Sequence, residues 1–244
     1  MTKDKLATTD SAFAIQPAEV AEIAEIIAEN VGDGGITADD LQRIKVPSGG
    51  GVFWEIPTSD GKPKPAEELE CIILGKRNVR AYWETSMEEG GGGTPPDCYS
   101  LDNEVGIPNT ENGPGGNCES CPFNQWQSAN NGSGRGKACK ERQLLMALLP
   151  GNHLPVVISV PPSSLKIMRQ FMLSLANERL RYMQIVWRLG LEKVKNADST
   201  DYAQIAPSKA RVLDGEELAA IQQYADAVIP AFNKAASEIA TEVE

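Results

Sequence analysis

The chain is 244 residues long, 41% hydrophobic and formally −11 at pH 7. That composition allows an ordinary core, contains no apolar run of the ~18 or more residues a membrane-crossing helix needs, and leaves a single histidine for acid–base work. The opening MTKDKLATTD lacks an apolar signal core, and five cysteines gathered around one CxxC suit metal binding in a reducing cytoplasm better than a disulfide framework.

Residues 1–47 read as an acidic, helical N-terminal extension, partly disordered. Within it, PAEVAEIAEIIAEN (17–30) sets Val20, Ile23, Ile26 and Ile27 on one stripe with Glu19, Glu22, Glu25 and Glu29 opposite, the pattern of an amphipathic helix. A second short helix is expected from Thr37, with Asp39 and Asp40 in its first turn. From residue 48 the pattern changes to strands at 52–56, 69–74 and 79–83, the last two separated by a turn at 75–78. Period two places Arg80 and Tyr82 on one face of the third strand, and Val79, Ala81 and Trp83 on the other. Cys71, inside the second strand, reads as a buried structural thiol.

A helix is expected over 137–149 (KACKERQLLMALL), with Cys139 in its first turn, followed by a strand over 154–160. A helix over 164–177 follows, with Ser163 as N-cap and Lys166 and Arg169 outward, then a strand over 181–194 with a bulge at Gly190. A strand over 201–205, extended by 211–213, leads to a helix capped by Asp214 and broken near Pro230. The count of strands, with a helix between the late ones, fits a mainly β, α+β domain at 48–213, best matched by an OB-like antiparallel barrel; 214–244 form a C-terminal helix and acidic tail.

Cys98, Cys118, Cys121 and Cys139 are separated by nineteen, two and seventeen residues. Two intervening residues let Cys118 and Cys121 turn both sulfurs toward one ion, and two further thiolates complete the tetrahedral set of structural zinc. The expectation is a Zn2+-ordered insertion at 94–140, with an iron–sulfur cluster as the alternative occupant of the same ligands. The sequence contains no P-loop, no GxGxxG after a strand, no HExxH and no deaminase signature, and four thiolates leave no open coordination position. No catalytic residue is assigned, and the protein is expected not to be an enzyme. His153, in a PGNHLP turn, reads as a surface residue.

Between Arg135 and Lys195, eleven Lys or Arg stand against three Glu, a net +8 in 61 residues of an otherwise acidic chain. Cations interleaved with aromatics are what a single-strand groove needs, because cations follow phosphates and each stacked base adds about 1–3 kcal/mol. The candidate contacts are Arg77, Arg80, Tyr82, Trp126, Arg135, Lys137, Lys140, Lys166, Arg169, Arg181, Tyr182 and Arg188. Tyr82 with Arg80, and Tyr182 with Arg188, are the expected exposed sets; Trp83 and Trp187 are expected in the core. The competing reading is a zinc-stabilised interaction protein whose acidic helices 17–30 and 214–229 dock a protein partner. A third reading is an iron–sulfur nuclease.

The arrangement PPDCYS…GGNCESCPFNQWQS…GRGKACKERQLL…LPVVISVPPSSLK resembles bacteriophage-type single-stranded-DNA-binding proteins over about residues 50–225. The resemblance implies an OB barrel, a basic groove, in some relatives a structural zinc, and a role in DNA replication or recombination in the host-cell cytoplasm. It also implies recruitment of replication or recombination proteins through an acidic tail. Here the end carries only Glu238, Glu242 and Glu244 and lacks the terminal Phe of several such families.

Overall fold

The structure, a computed structural model, describes residues 13, 17–32, 37, 40–58, 61–85, 95–129, 136–196 and 199–239. Helix α1 (Pro17–Val31) is followed by β1 (Arg43–Lys45), β2 (Trp54–Ile56), β3 (Lys64–Ala66) and β4 (Glu68–Tyr82). An insertion then carries β5 (Cys98–Ser100), β6 (Val105–Pro108) and β7 (Gly116–Asn117). The chain returns through β8 (Lys140–Leu148), β9 (Val156–Val160), α2 (Pro162–Asn177), β10 (Ile185–Lys195), β11 (Asp201–Val212) and α3 (Gly215–Ile239). Nine strands form one sheet in the order β1-β9-β8-β4-β5-β6-β7, with β10 pairing to both β4 and β11; β2 and β3 make a separate hairpin. The protein is therefore mixed α/β, mostly strand, with one large sheet. Among the described residues the sheet does not close into a barrel: β1 is bonded only to β9, and β11 only to β10.

Strand β4 carries this architecture. It pairs with β10 through Glu68, Leu69, Glu70 and Cys71, with β8 from Ile72 to Ala81, and with β5 from Arg80 to Tyr82. The turn expected at 75–78 is absent. Gly75 marks a bulge in a continuous strand, where the register to β8 shifts between Ile73 and Gly75. A Cβ at Gly75 would lie 3.2 Å from Met146 Cε and 3.4 Å from Ile229 Cδ1, so the missing side chain lets α3 settle on the strand.

The segment expected as a helix at 137–149 is β8. Leu144, Met146 and Leu148 enter one core, while Leu145, Ala147 and Leu149 enter another. A run buried on both faces carries no period of its own, so LLMALL fits helix and strand equally and only its sheet partners decide. The first core lies beneath α1 and α3, where Ile23, Ile221, Tyr224, Val228 and Phe232 meet Ile72 and Leu74. The second lies beneath α2, where Met168 and Leu175 meet Trp54, Trp187, Ile73 and Ile158. Both buried indoles satisfy their N–H: Trp54 Nε1 donates to the Leu189 carbonyl at 2.8 Å and Trp187 Nε1 to that of Tyr182 at 2.7 Å.

Smaller expectations also change. Of the helix expected from Thr37, Asp39 lies outside the described residues; the Thr37 N–H and hydroxyl both donate to Asp40 Oδ2 at 2.8 Å, and residues 40–42 are not helical. On α1, Ile23 is buried and Ile26 exposed, and the side chain of Val20 lies outside the described residues. Helix α2 begins two residues earlier than expected, with Pro161 at its N-cap and no side-chain cap, so Ser163 does not cap it. The bulge in β10 falls between Val186 and Trp187, while Gly190 pairs regularly with Ala206. Helix α3 continues through the exposed Pro230. Its start does follow expectation. Asp214 Oδ1 accepts from the Glu216 and Glu217 N–H groups at 3.0 and 2.8 Å, and Glu217 Oε2 accepts from the Asp214 N–H at 3.0 Å. Asp214→Ala should therefore cost about 1 kcal/mol, read as a lowered unfolding midpoint in denaturant. No helix among the described residues is long and apolar enough to cross a membrane.

Candidate metal centre and nucleic-acid face

Four separate pieces of backbone bring the four insertion cysteines together. Cys98 opens β5 and pairs with Tyr82 at the end of β4. Cys118 follows β7, its N–H donating to the Glu104 carbonyl at 2.8 Å. Cys121 precedes a 3-10 turn at 122–124, and the Cys139 N–H donates to the Phe123 carbonyl at 2.9 Å, which places Cys139 against the CxxC turn. Cys139 thus lies just before a strand and outside any helix N-terminus. All four line one small cavity of about 10 Å3 together with Arg80, Tyr82, Gly106, Gly115 and Asn124. That is about the room of one water-sized sphere.

The walls are built closely. The Gly115 N–H donates to the Cys98 sulfur, and Gly115 sits at φ 58°, where an L side chain is strained. A Cβ at Gly106 would come within 3.1 Å of Cys98 Sγ, and one at Gly113 within 2.1 Å of the Asp97 carbonyl oxygen. Asp97 and Asp102 knit the loops further. Asp97 Oδ2 accepts from the Glu84 N–H at 2.8 Å and Oδ1 from the Thr110 hydroxyl at 2.6 Å. Asp102 Oδ1 accepts from the Ser100 hydroxyl and from the N–H groups of Glu104 and Val105. Side-chain carboxylates thus supply part of the hold that apolar burial does not.

Burial pushes the Cys98 thiol up, opposed by the Gly115 N–H. Burial likewise pushes Cys139 up to about 11, with the Arg80 guanidinium pulling the other way. Four sulfurs around a space of atomic size fit a thiophilic ion, whose charge would remove the cost of ionising them. Among the described residues no group of three or more His, Cys, Asp or Glu is arranged to hold an ion as it stands. Cys71 belongs elsewhere: it is fully buried in the second core, and burial pushes its thiol up to about 12. His153 is exposed, and its carbonyl accepts the Tyr224 hydroxyl.

A polar network backs the cavity. Arg80, with 11% of its side chain exposed, donates through Nη1 to Asn124 Oδ1 at 2.7 Å and through Nη2 to Glu141 Oε2 at 2.9 Å. Asn124 Nδ2 donates to the Cys118 carbonyl at 2.6 Å, and Lys137 Nζ donates to Asn124 Oδ1 at 3.0 Å. Asn103 Nδ2 donates to the other oxygen of Glu141 at 2.8 Å. The sequence singled out neither Asn124 nor Glu141. Asn124 carries no signal beyond standing three residues after Cys121.

The expected nucleic-acid residues divide in two. Tyr82 is buried, stacked on Phe123 with centroids 4.2 Å apart, because the CxxC turn folds onto that end of β4. Arg80 is taken up by the network, and Lys137 is half-buried within it. Arg77 reaches across the first core to the Asn233 carbonyl at 3.3 Å. Arg188 pairs with Glu70 at 2.8 Å and Glu68 at 3.3 Å, so its charge is largely offset and it does not join Tyr182 in an exposed set. Trp187 is in the core as expected; Trp83 is half-buried. Arg135 lies outside the described residues. In the second group, Trp126 is 67% exposed, and Lys140, Lys166, Arg169 and Arg181 are also exposed. Tyr182 is half-buried, with Lys76 Nζ 6.0 Å from its ring centroid. Lys76 escaped notice because 75–78 read as a turn. In the observed strand it shares a face with Asn78, Arg80 and Tyr82.

No family model matches the chain, and searches of curated proteins and of solved structures likewise found no match.

Proposed function

We propose that this protein is a non-enzymatic, phage-type single-stranded-DNA-binding protein acting in replication or recombination, an OB-like fold whose insertion is clamped by Zn2+ on Cys98, Cys118, Cys121 and Cys139. The observation that carries the reading is the polar face of β4. Lys76 and Asn78 are exposed along it, starting beside Tyr182 and ending where the CxxC turn covers Arg80 and Tyr82. From Lys76 to the covered Arg80, four steps of strand make that track roughly 13 Å long. The insertion at its end carries the exposed Trp126, and Lys140 opens the neighbouring strand. A cationic track with aromatic groups at both ends is the means by which single strands are held without sequence readout.

Connectivity supports the same reading. Strands β4, β8 and β9 run as a meander, α2 follows, and β10 returns antiparallel to β4 before pairing with β11. This order supports an OB-like reading in which the sheet stays open between β9 and β11, with β1 in parallel on β9. The metal fits the donor set, the size of the cavity and its close glycine walls. Zinc would supply a fixed tetrahedral anchor and no chemistry on a substrate.

The test is a gel shift with oligo-dT and with duplex DNA at two salt concentrations. Preference for the single strand is expected, with the log–log salt slope steepening by about −0.7 for each phosphate neutralised. No binding at low salt, or salt-insensitive binding, would overturn the reading.

One observation favours a protein partner instead. An apolar groove of about 1130 Å3 lies between α1 and the sheet, lined by Ile23, Ile27, Leu41, Leu154 and Phe232. Among the described residues its lining includes Asp40, Glu68 and Glu70 and no Lys or Arg. Such a groove suits a cationic amphipathic segment, and its occupant would bind whether or not DNA is present.

A further inference from the structure

We infer that Arg80 is the positioning residue of the four-cysteine centre: its buried Nε–H donates to a ligand thiolate once metal is bound, and its charge offsets the negative charge that four thiolates leave on a divalent ion. The inference rests on the proposed ligation by Cys98, Cys118, Cys121 and Cys139. Arg80 lines the same cavity as the four thiols. Its Nη1 is committed to Asn124 and its Nη2 to Glu141, and its Nε is buried with no partner among the described residues. Native structures leave few buried donors unpaired, and one that borders a thiol cavity has an acceptor to meet there. A divalent ion with four thiolates carries two net negative charges in a half-buried place, which a charge-assisted N–H···S contact relieves.

The surroundings hold the guanidinium to this task. Asn124 is fixed by the Cys118 carbonyl and by Lys137, and Glu141 is shared with Asn103, so both partners keep their places on either side of the fork. Other charges near the site are of the wrong kind or already engaged. Asp97 adds negative charge beside Cys98, and Lys137 spends its ammonium on Asn124. Lysine at position 80 would keep the charge but lose the fork that reaches two partners and still leaves Nε free.

The experiment loads Arg80→Met, Arg80→Lys and Glu141→Gln proteins with Zn2+ and Co2+, measuring affinity by chelator competition and the thiolate-to-cobalt charge-transfer band. Arg80→Met is expected to bind zinc about 10–100-fold more weakly, as when a second-layer partner of a metal ligand is lost. Its cobalt band should move to longer wavelength, because a thiolate without its hydrogen bond is a stronger electron donor. Arg80→Lys should recover part of the affinity and none of the band shift. Glu141→Gln keeps an oxygen acceptor for Nη2, so it should lose only a small part of the affinity and leave the band where it is, whereas an Arg80 that served only as the partner of Glu141 would make both variants lose affinity together with no band shift in either. Wild-type affinity and band in Arg80→Met would overturn the inference while leaving the four-cysteine ligation standing. Failure of the wild-type protein to take up either ion would overturn both.

Discussion

Stripping the metal is expected to release the insertion and leave the sheet. After treatment with a strong chelator, residues 95–139 should become open to protease while β8, β9 and α2 stay protected, and the double variant Cys118→Ser, Cys121→Ser should behave the same way with zinc present. Structural zinc contributes about 10–16 kcal/mol of apparent binding free energy in peptides that fold only around the ion. Here the share needed for order is smaller, because Asp97 and Asp102 already hold parts of the loops. Thiol titration gives a second measure. Four thiols should react after chelation, and the fifth, Cys71, only in denaturant, because burial pushes it up to about 12 and closes it to reagent. A chelated protein whose insertion remained protease-resistant would remove the clamp from the account.

Trp126→Ala should weaken oligo-dT binding by about 5–150-fold, the equivalent of losing one stacked base at about 1–3 kcal/mol. The indole is 67% exposed, so thermal stability should hardly change. The salt slope should not change either, because an indole neutralises no phosphate. Lys140→Ala should do the reverse, flattening the slope by about 0.7 with a small loss of affinity. Tyr82→Ala provides the contrast. Its ring is buried on Phe123, so this variant is expected to loosen the insertion before it touches any DNA contact. Unchanged affinity in Trp126→Ala would move the binding track away from the insertion.

What the sequence made legible depended on whether a residue type has one physical use. Helix α1 was readable because its apolar stripe has a period of its own, and the Asp214 cap because it stands directly before an apolar helical run. Cysteines at that spacing have few uses, and the four do line one cavity. Strand β8 was not readable, since a segment buried on both faces carries no alternation. Arg80 and Tyr82 were correctly placed on one face of β4, but alternation cannot say what lies upon that face. The CxxC turn lies there, brought from about forty residues downstream, and it converts an expected binding pair into the underside of the metal site. Charge was legible in total and misleading in detail: Arg188 spends its excess on Glu68 and Glu70, which the sequence places more than a hundred residues away.

The neck of the insertion has one more consequence. Ala81 at the end of β4 pairs directly with Lys140 at the start of β8, so the chain leaves the sheet and re-enters it at neighbouring points. Topologically, everything between Tyr82 and Lys140 is the loop of a single hairpin. Closing a longer loop costs only slightly more than closing a short one, by about 0.6 kcal/mol for each doubling. The β4–β8 ladder thus loses little by carrying so long a connection, which returns along the other edge of β4 and adds β5, β6 and β7 to the same sheet.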